Sequence, residues 1–251
     1  MFYRVKPDCD SLLLQGKAPF QKLPDRTLTL TLWNVWKAKK GEKFYKEFYI
    51  LKKQSDFFLL QEAHSKMFKN QDWNDLQTKM QVKMFSSFEY LWDSHSTGVM
   101  TLSRVHSEEV QGLRFPYREL NFLTPKSSLC SAYLGSKPSE TLIILNLHFL
   151  NFVSWHQFKK NFLWLMENVR SLKEGPLIVA GDMNTWTAER LAFVHKNMAS
   201  LGAEPVKFAE DSRRLKLDHI FVRDLHIEQA NVLSKITSSD HFPLQVTFRL
   251  K

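Results

Sequence analysis

At 251 residues, with 43% apolar side chains, the chain has enough material for one large α/β domain with a substantial core. No run approaches the roughly 18 apolar residues of a membrane-spanning helix, and the mixed charges around Leu12-Leu13-Leu14 give no export-leader pattern, so a cytoplasmic protein is expected. The formal charge of +9 favours a polyanionic partner, and the two cysteines, Cys9 and Cys130, suggest no disulfide framework.

Residues 1–25 carry three prolines and little periodicity and read as an irregular N-terminal arm, leaving 26–251 as a single domain. Leu28-Thr29-Leu30-Thr31-Leu32-Trp33-Asn34 alternates strictly, which predicts a half-buried strand. A helix is expected over 42–53 from the spacing of Phe44, Phe48 and Leu51. Phe57-Phe58-Leu59-Leu60-Gln61-Glu62 reads as a short buried strand ending in an acid. The polar stretch 66–83 predicts another helix, and 98–104, 129–134 and 141–148 predict strands. Trp155, Phe158, Phe162, Leu165, Val169 and Leu172 trace one helical face, which Gly175-Pro176 terminates. A strand is expected at Leu177-Ile178-Val179-Ala180, a helix over 188–199, and strands from Leu217 and over 242–250. The two runs of strands with interleaved helices suggest a two-sheet α/β sandwich; pattern alone leaves a single doubly wound sheet open.

Chemistry-bearing residues gather at the ends of these strands. Asn34, Glu62, Asp182, Asn184 and Asp240 each end or follow an apolar run, and oxygen donors of this kind suit a hard cation such as Mg²⁺ or Mn²⁺. Taken singly each has a plain alternative: Asn34 capping its own turn, Glu62 pairing with a nearby base. Alternation places Asn146 and His148 on one face, and an Asp–His pair such as Asp218 with His241 fixes a tautomer and raises the imidazole pKa. The densest basic cluster, Lys37, Lys39, Lys40, Lys43 and Lys46, reads equally as a solvated helix start or as a collar beside a site.

Trp33-Asn34, Leu60-Gln61-Glu62, Gly98-Val99-Met100-Thr101-Leu102-Ser103, Asn146-Leu147-His148, Gly181-Asp182-Met183-Asn184, Leu217-Asp218-His219-Ile220-Phe221 and Ser239-Asp240-His241 stand in a particular order. In that order the chain resembles the endonuclease/exonuclease/phosphatase superfamily over about 28–248. His148-Phe149-Leu150-Asn151-Phe152, Gly181 to Trp186, Arg213-Arg214 and Lys126 resemble a bacterial branch that includes the YafD-type proteins. The resemblance implies a four-layer DNase I-like sandwich with flanking helices and a phosphoester hydrolase requiring Mg²⁺ or Mn²⁺. Carried over, Asn34, Glu62 and Asp240 bind the ion, while Asp182 orients or deprotonates water and Asn184 holds a phosphate oxygen. His241, oriented by Asp218, acts at the phosphate as base or donor, and His148 donates from the other side. Lys126, Asn151, Arg213 and Arg214 are the expected substrate contacts. His219 replaces the family's usual aromatic, so a third imidazole near the site is expected.

The basic balance, with Trp36, Phe152, Trp155 and Trp186 nearby, favours an endo- or exonuclease acting as a monomer on DNA or RNA. The alternatives are a phosphodiesterase or phosphatase on a lipid headgroup or small metabolite, and a silent binding module. Inositol phosphatases of this fold carry a P-x-W-C-D-R segment that is absent here. The retention of every acid and imidazole argues against the silent module.

Overall fold

The computed structural model describes residues 3–69, 72–121, 124–169 and 174–251. In chain order the strands are β1 (Tyr3–Arg4), β2 (Leu12–Gln15), β3 (Leu28–Asn34), β4 (Phe57–His64), β5 (Gln81–Tyr90), β6 (Ser96–Ser103) and β7 (Glu109–Arg114). They continue with β8 (Ser127–Tyr133), β9 (Leu142–His148), β10 (Leu177–Asp182), β11 (Glu204–Pro205), β12 (Asp218–Arg223), β13 (Leu225–Val232) and β14 (Leu244–Leu250). The helices are α1 (Glu42–Gln54), α2 (Asp72–Lys79), α3 (Trp155–Asn168) and α4 (Ala188–Ala199). One sheet runs β1-β5-β6-β4-β3-β14-β13 with β2 also on β5, and the other runs β11-β12-β10-β9-β8-β7.

Each sheet has a parallel pair inside, β3 with β4 and β9 with β10, flanked by antiparallel strands. Period-two side chains make the layers. Leu28, Leu30 and Leu32 of β3 meet Ile144, Ile178, Ala180 and Ile220 of the other sheet in a core between the sheets. Phe44, Phe48 and Leu51 of α1 cover the outer face of the first sheet, over Phe58 and Leu60. Phe158, Phe162 and Leu165 of α3, with Val194 and Met198 of α4, cover the second. The result is the expected four-layer sandwich. Ser154 and Gln157 form a capping box at the start of α3, and the Thr187 hydroxyl accepts the Arg190 N–H at the start of α4. No helix among the described residues is long and apolar enough to cross a membrane.

Three strands break the expected pattern. The described residues of 66–83 form a 3₁₀ turn ending at Lys69 and the short α2 from Asp72, and from Gln81 the chain is strand. Lys83 concealed it: this lysine is fully buried, and its ammonium donates to Ser103 Oγ (2.9 Å) and the Tyr133 hydroxyl (2.7 Å). A cationic residue at a core position erases the alternation that reveals a strand. β7 and β13 are end strands with little buried surface, so they too lack that signal. The N-terminal arm is not irregular throughout, because β1 and β2 both pair with β5. Leu172, expected on the α3 face, lies outside the described residues.

Candidate active site

Backbone register brings the acids and imidazoles together. Asp182 pairs with His148 on one side and Asp218 on the other, so three adjacent strands present them in a row. Their even-numbered parity matches Ile144, Ala180 and Ile220, and they extend the inter-sheet face to its rim. Asn34 reaches the same place from β3, and its Nδ2 donates to Asp182 Oδ2 at 3.0 Å. The 239–241 loop is anchored from two sides. Ser239 Oγ donates to the Asn34 carbonyl (2.7 Å), and Trp33 Nε1 donates to the His241 carbonyl (3.0 Å). Asn34, His148, Asp182 and His241 line a cavity of about 310 Å³, with Lys126, Asn151, Asn184 and Asp240 also in its wall, while Asp218 stands behind His241.

Glu62 gets there by a different route. On β4 it follows Gln61, which faces the inter-sheet core and donates to Asn146 Oδ1 (2.6 Å), so regular alternation would aim Glu62 outward. A register break between Leu60 and Ala63, with Glu62 at φ 51°, turns the carboxylate into the cavity instead. Left-handed backbone is unfavourable for a glutamate, and such strain collects at functional sites.

The electrostatics divide the site into two halves. In one, His241 Nδ1 donates to Asp218 Oδ2 at 2.7 Å, while its Nε2 faces Asp182 Oδ2 at 4.0 Å. Burial alone would strip this ring of its proton, but the Asp218 carboxylate, and behind it Asp182, push the imidazole up to about 10. Asp182 is fully buried next to Asp218, and both effects raise its carboxyl to about 7. Asp182, Asp218 and His241 lie close enough together to bracket an ion; the hydrogen bond within the group is that of His241 with Asp218, and Asp182 stands at ion-pair distance from the ring. In the other half, Lys37 Nζ is 3.0 Å and Lys126 Nζ 4.0 Å from the Glu62 carboxylate. Burial acts to raise Glu62, yet the charges of Lys126 and Lys37 hold it at about 2.

Some expected contacts are redirected. Burial, followed by the charge of Lys126, pushes His148 well below the ordinary imidazole range. Its Nε2 therefore accepts from Lys126 Nζ (3.2 Å), and the cation facing the cavity on that side is Lys126. Asn184, at φ 51°, donates its backbone N–H to Asp182 Oδ1 (3.1 Å) and its amide to the Phe149 carbonyl (2.9 Å). It holds Asp182 more than it faces a phosphate. Arg213 is not in the cavity. It forks onto Asp211 at 2.9 Å and donates to the Asp218 carbonyl at 2.6 Å. Arg214 is exposed beside Asp240 and His241 in an adjoining groove. His219 has odd parity and points to the opposite face, where it meets the Thr185 hydroxyl at 2.6 Å and Phe221, so it is no third site imidazole. Of the four aromatics, Trp36 and Phe152 line the cavity, whereas Trp155 packs on Phe158 and Phe193 and Trp186 lies under Arg190.

Two residues that sequence reasoning did not single out complete the site. Lys37 was visible only as one member of the lysine cluster. Glu119, buried, accepts the Asn151 N–H at 2.9 Å and lies 3.8 Å from Lys126, and no local motif marks it. The different settings of the two arginines lead to a prediction. Arg213→Gln removes charge-assisted bonds worth about 2 kcal/mol and lowers the melting temperature by about 4–8 °C, with a several-fold loss of turnover as Asp218 loosens. Arg214→Gln leaves the melting temperature within about 1 °C, as exposed positions do. Thermal unfolding of both variants checks this, and the opposite ranking would refute it.

The fold and this site define a phosphoesterase class, and similarity to known proteins places the chain in it. Residues 32–241 match the model of the endonuclease/exonuclease/phosphatase family, and the chain belongs to that family. A UPF0294 protein of Vibrio cholerae serotype O1 is 31% identical over 235 residues, which is 90% of this chain and 79% of that protein. The solved structure of the human nocturnin catalytic domain with bound sulfate is similar at TM-score 0.68 and 16% identity, covering 99% of this chain and all of that one (100%). The mannosyl-6-phosphatase of Bacteroides thetaiotaomicron is similar at TM-score 0.68 and 16% identity, covering 89% and 100%.

Proposed function

We propose that this protein is a divalent-cation-dependent phosphodiesterase acting on nucleic-acid strands. The observation that carries the reading is the Asp218–His241 pair at 2.7 Å, with His241 Nε2 4.0 Å from Asp182 in the wall of a cavity that Lys126 and Glu62 also line. A carboxyl near 7 and an imidazole near 10 are split in the sense that acid–base catalysis needs. Asp182, once deprotonated, takes the proton of the attacking water. His241 remains an imidazolium and donates a hydrogen bond to a phosphate oxygen whose charge grows in the transition state. Asp218 is the positioning residue that fixes the ring, and Lys126 offsets substrate charge from the side of His148.

Asn34, Glu62 and Asp240 are the oxygen donors suited to holding Mg²⁺ or Mn²⁺. Glu62 Oε2 is buried and faces the Lys37 ammonium at 3.0 Å, so the carboxylate is already set for a positive charge, and an all-oxygen donor set matches a hard cation. When bound, such an ion supplies Lewis-acid polarisation of a phosphoryl oxygen and stabilises the leaving oxygen. The bound sulfate of the nocturnin structure and the name of the mannosyl-6-phosphatase support a phosphate-type oxyanion as the ligand of this fold.

Nucleic acid is favoured by the +9 charge and by Trp36 and Phe152 at the cavity wall, where bases can stack. One feature favours a second reading. About 310 Å³ is at the small end of ligand pockets, which fits a strand end or a small phosphorylated metabolite better than duplex DNA.

The test is turnover with Mn²⁺ on single-stranded DNA, RNA, plasmid DNA, a bis-aryl phosphodiester, phospholipid vesicles and sugar phosphates. Strand cleavage that EDTA abolishes and salt weakens is the expected result; preferential hydrolysis of the sugar phosphates moves the assignment to the second reading. The same assay gives a pH profile. Activity rises as Asp182 loses its proton near pH 7 and falls as His241 loses its own near pH 10. A rate that declines from pH 6 to 8 contradicts the assigned roles.

A further inference from the structure

The three residues after β3 and Val35 have an unusual backbone: Trp36, Lys37 and Ala38 all lie in the left-handed region, at φ 47°, 55° and 56°. Non-glycine residues rarely adopt this conformation singly, and three in succession need outside support. The support is local. The Trp36 N–H donates to Asn34 Oδ1 (3.2 Å), the Ala38 N–H donates to the Val35 carbonyl (2.9 Å), and Lys39 Nζ sits 4.2 Å from the Trp36 ring centroid. The strained turn points one cation inward. Lys37 Nζ lies 3.0 Å from Glu62 Oε2, the same oxygen that is buried without a hydrogen-bond partner. The contact is an ion pair, in which the ammonium supplies the positive charge that this carboxylate faces.

We propose that Lys37 is the resident counter-ion of Glu62, so that a divalent cation enters the site by exchange with the Lys37 ammonium. This rests on the reading that Glu62 holds such an ion. A buried carboxylate with no cation is costly, and Lys37 keeps the empty site folded. The second cation nearby, Lys126, is 4.0 Å from the other Glu62 oxygen and also engages His148 and Glu119, so it cannot take over this task alone. The exchange lowers apparent metal affinity. It also frees a lysine at the cavity wall, where it is available to a substrate phosphate once the ion has arrived.

The experiment is Mn²⁺ titration of the full chain, read by the electron paramagnetic resonance of free Mn²⁺. It compares wild type with Lys37→Met, Lys37→Gln and Glu62→Gln, alongside thermal unfolding with and without Mn²⁺. Removing the competitor is expected to tighten Mn²⁺ binding at least about tenfold in Lys37→Met. The metal-free protein should then melt lower than wild type, and Mn²⁺ should raise its melting temperature by more. Lys37→Gln serves the same comparison if Lys37→Met does not fold. Unchanged or weaker binding in the Lys37 variants, with binding lost in Glu62→Gln, overturns the exchange alone. Absence of Mn²⁺ binding in wild type and Lys37 variants alike, or binding that survives Glu62→Gln, overturns the metal reading and the exchange with it.

Discussion

Asp182→Asn should lower turnover by about 10³ while leaving the protein as stable as wild type or more so at pH 8. The rate loss follows from removing the proposed base, since general acid–base groups contribute about 10²–10⁴. The stability gain follows from the environment of the carboxyl. Burial and the neighbouring Asp218 raise Asp182 from an ordinary 3.8 to about 7, so the fold disfavours its charged form. Linkage gives the sign: a carboxyl whose folded pKa is raised binds more protons in the native state, so stability falls as pH climbs from about 4 to 7 and stays lower above. An amide of the same shape avoids that cost and its oxygen can still accept the Asn184 N–H, while its NH2 replaces the acceptor of the Asn34 amide and offsets part of the gain. A variant that is both inactive and markedly less stable at pH 8 would mean that Asp182 is structural. Opposite signs for activity and stability are the mark of a site held under tension.

The second large effect is expected at Gly181→Ala. A Cβ at this position would lie 1.8 Å from the Leu147 carbonyl oxygen on the neighbouring strand β9, where only a hydrogen fits. The clash is with backbone, so relief requires β9 and β10 to separate. Overpacking of this kind costs about 3 kcal/mol or more, or roughly 6–12 °C in melting temperature for a chain of this size. The function should suffer as well, because the β9–β10 register sets His148 beside Asp182, and a 1 Å displacement of reacting groups can cost about 10² in rate. Thermal unfolding and turnover of the single variant test both parts. A wild-type melting temperature would show that the strands tolerate separation there.

Gly181 also shows why its motif could be read without a structure. The glycine lets two strands run close, the aspartate after it ends β10 at the sheet rim, and the asparagine at φ 51° turns the chain while holding Asp182. All three requirements are local. The same is true of β3, α1, β9 and α4, whose apolar periodicity matches the face each one buries. Local physics failed where tertiary contacts overrode it. β5 was hidden by a buried lysine held by Ser103, Tyr133 and Gln81, and β13 by having one face open to water.

Strand ends therefore disclosed which side chains gather at the cavity, because packing alone gives an apolar run no reason to stop at an acid or an imidazole. Pairing and parity disclosed the rest. Parity sent His219 away from the site although it adjoins Asp218, and the bulge at Glu62 brought in a carboxylate that alternation would have turned outward. Arg213 was taken up by Asp211, two residues before it, and Lys37 and Glu119 were drawn in from outside the strands. The amino-acid sequence by itself determined the layers, the family and the candidacy of Asp182, Asp218 and His241, since each depends on periodicity or a short motif. Only the tertiary structure decided which cations face Glu62 and which arginine stays free, because those choices depend on distances between segments far apart in the chain.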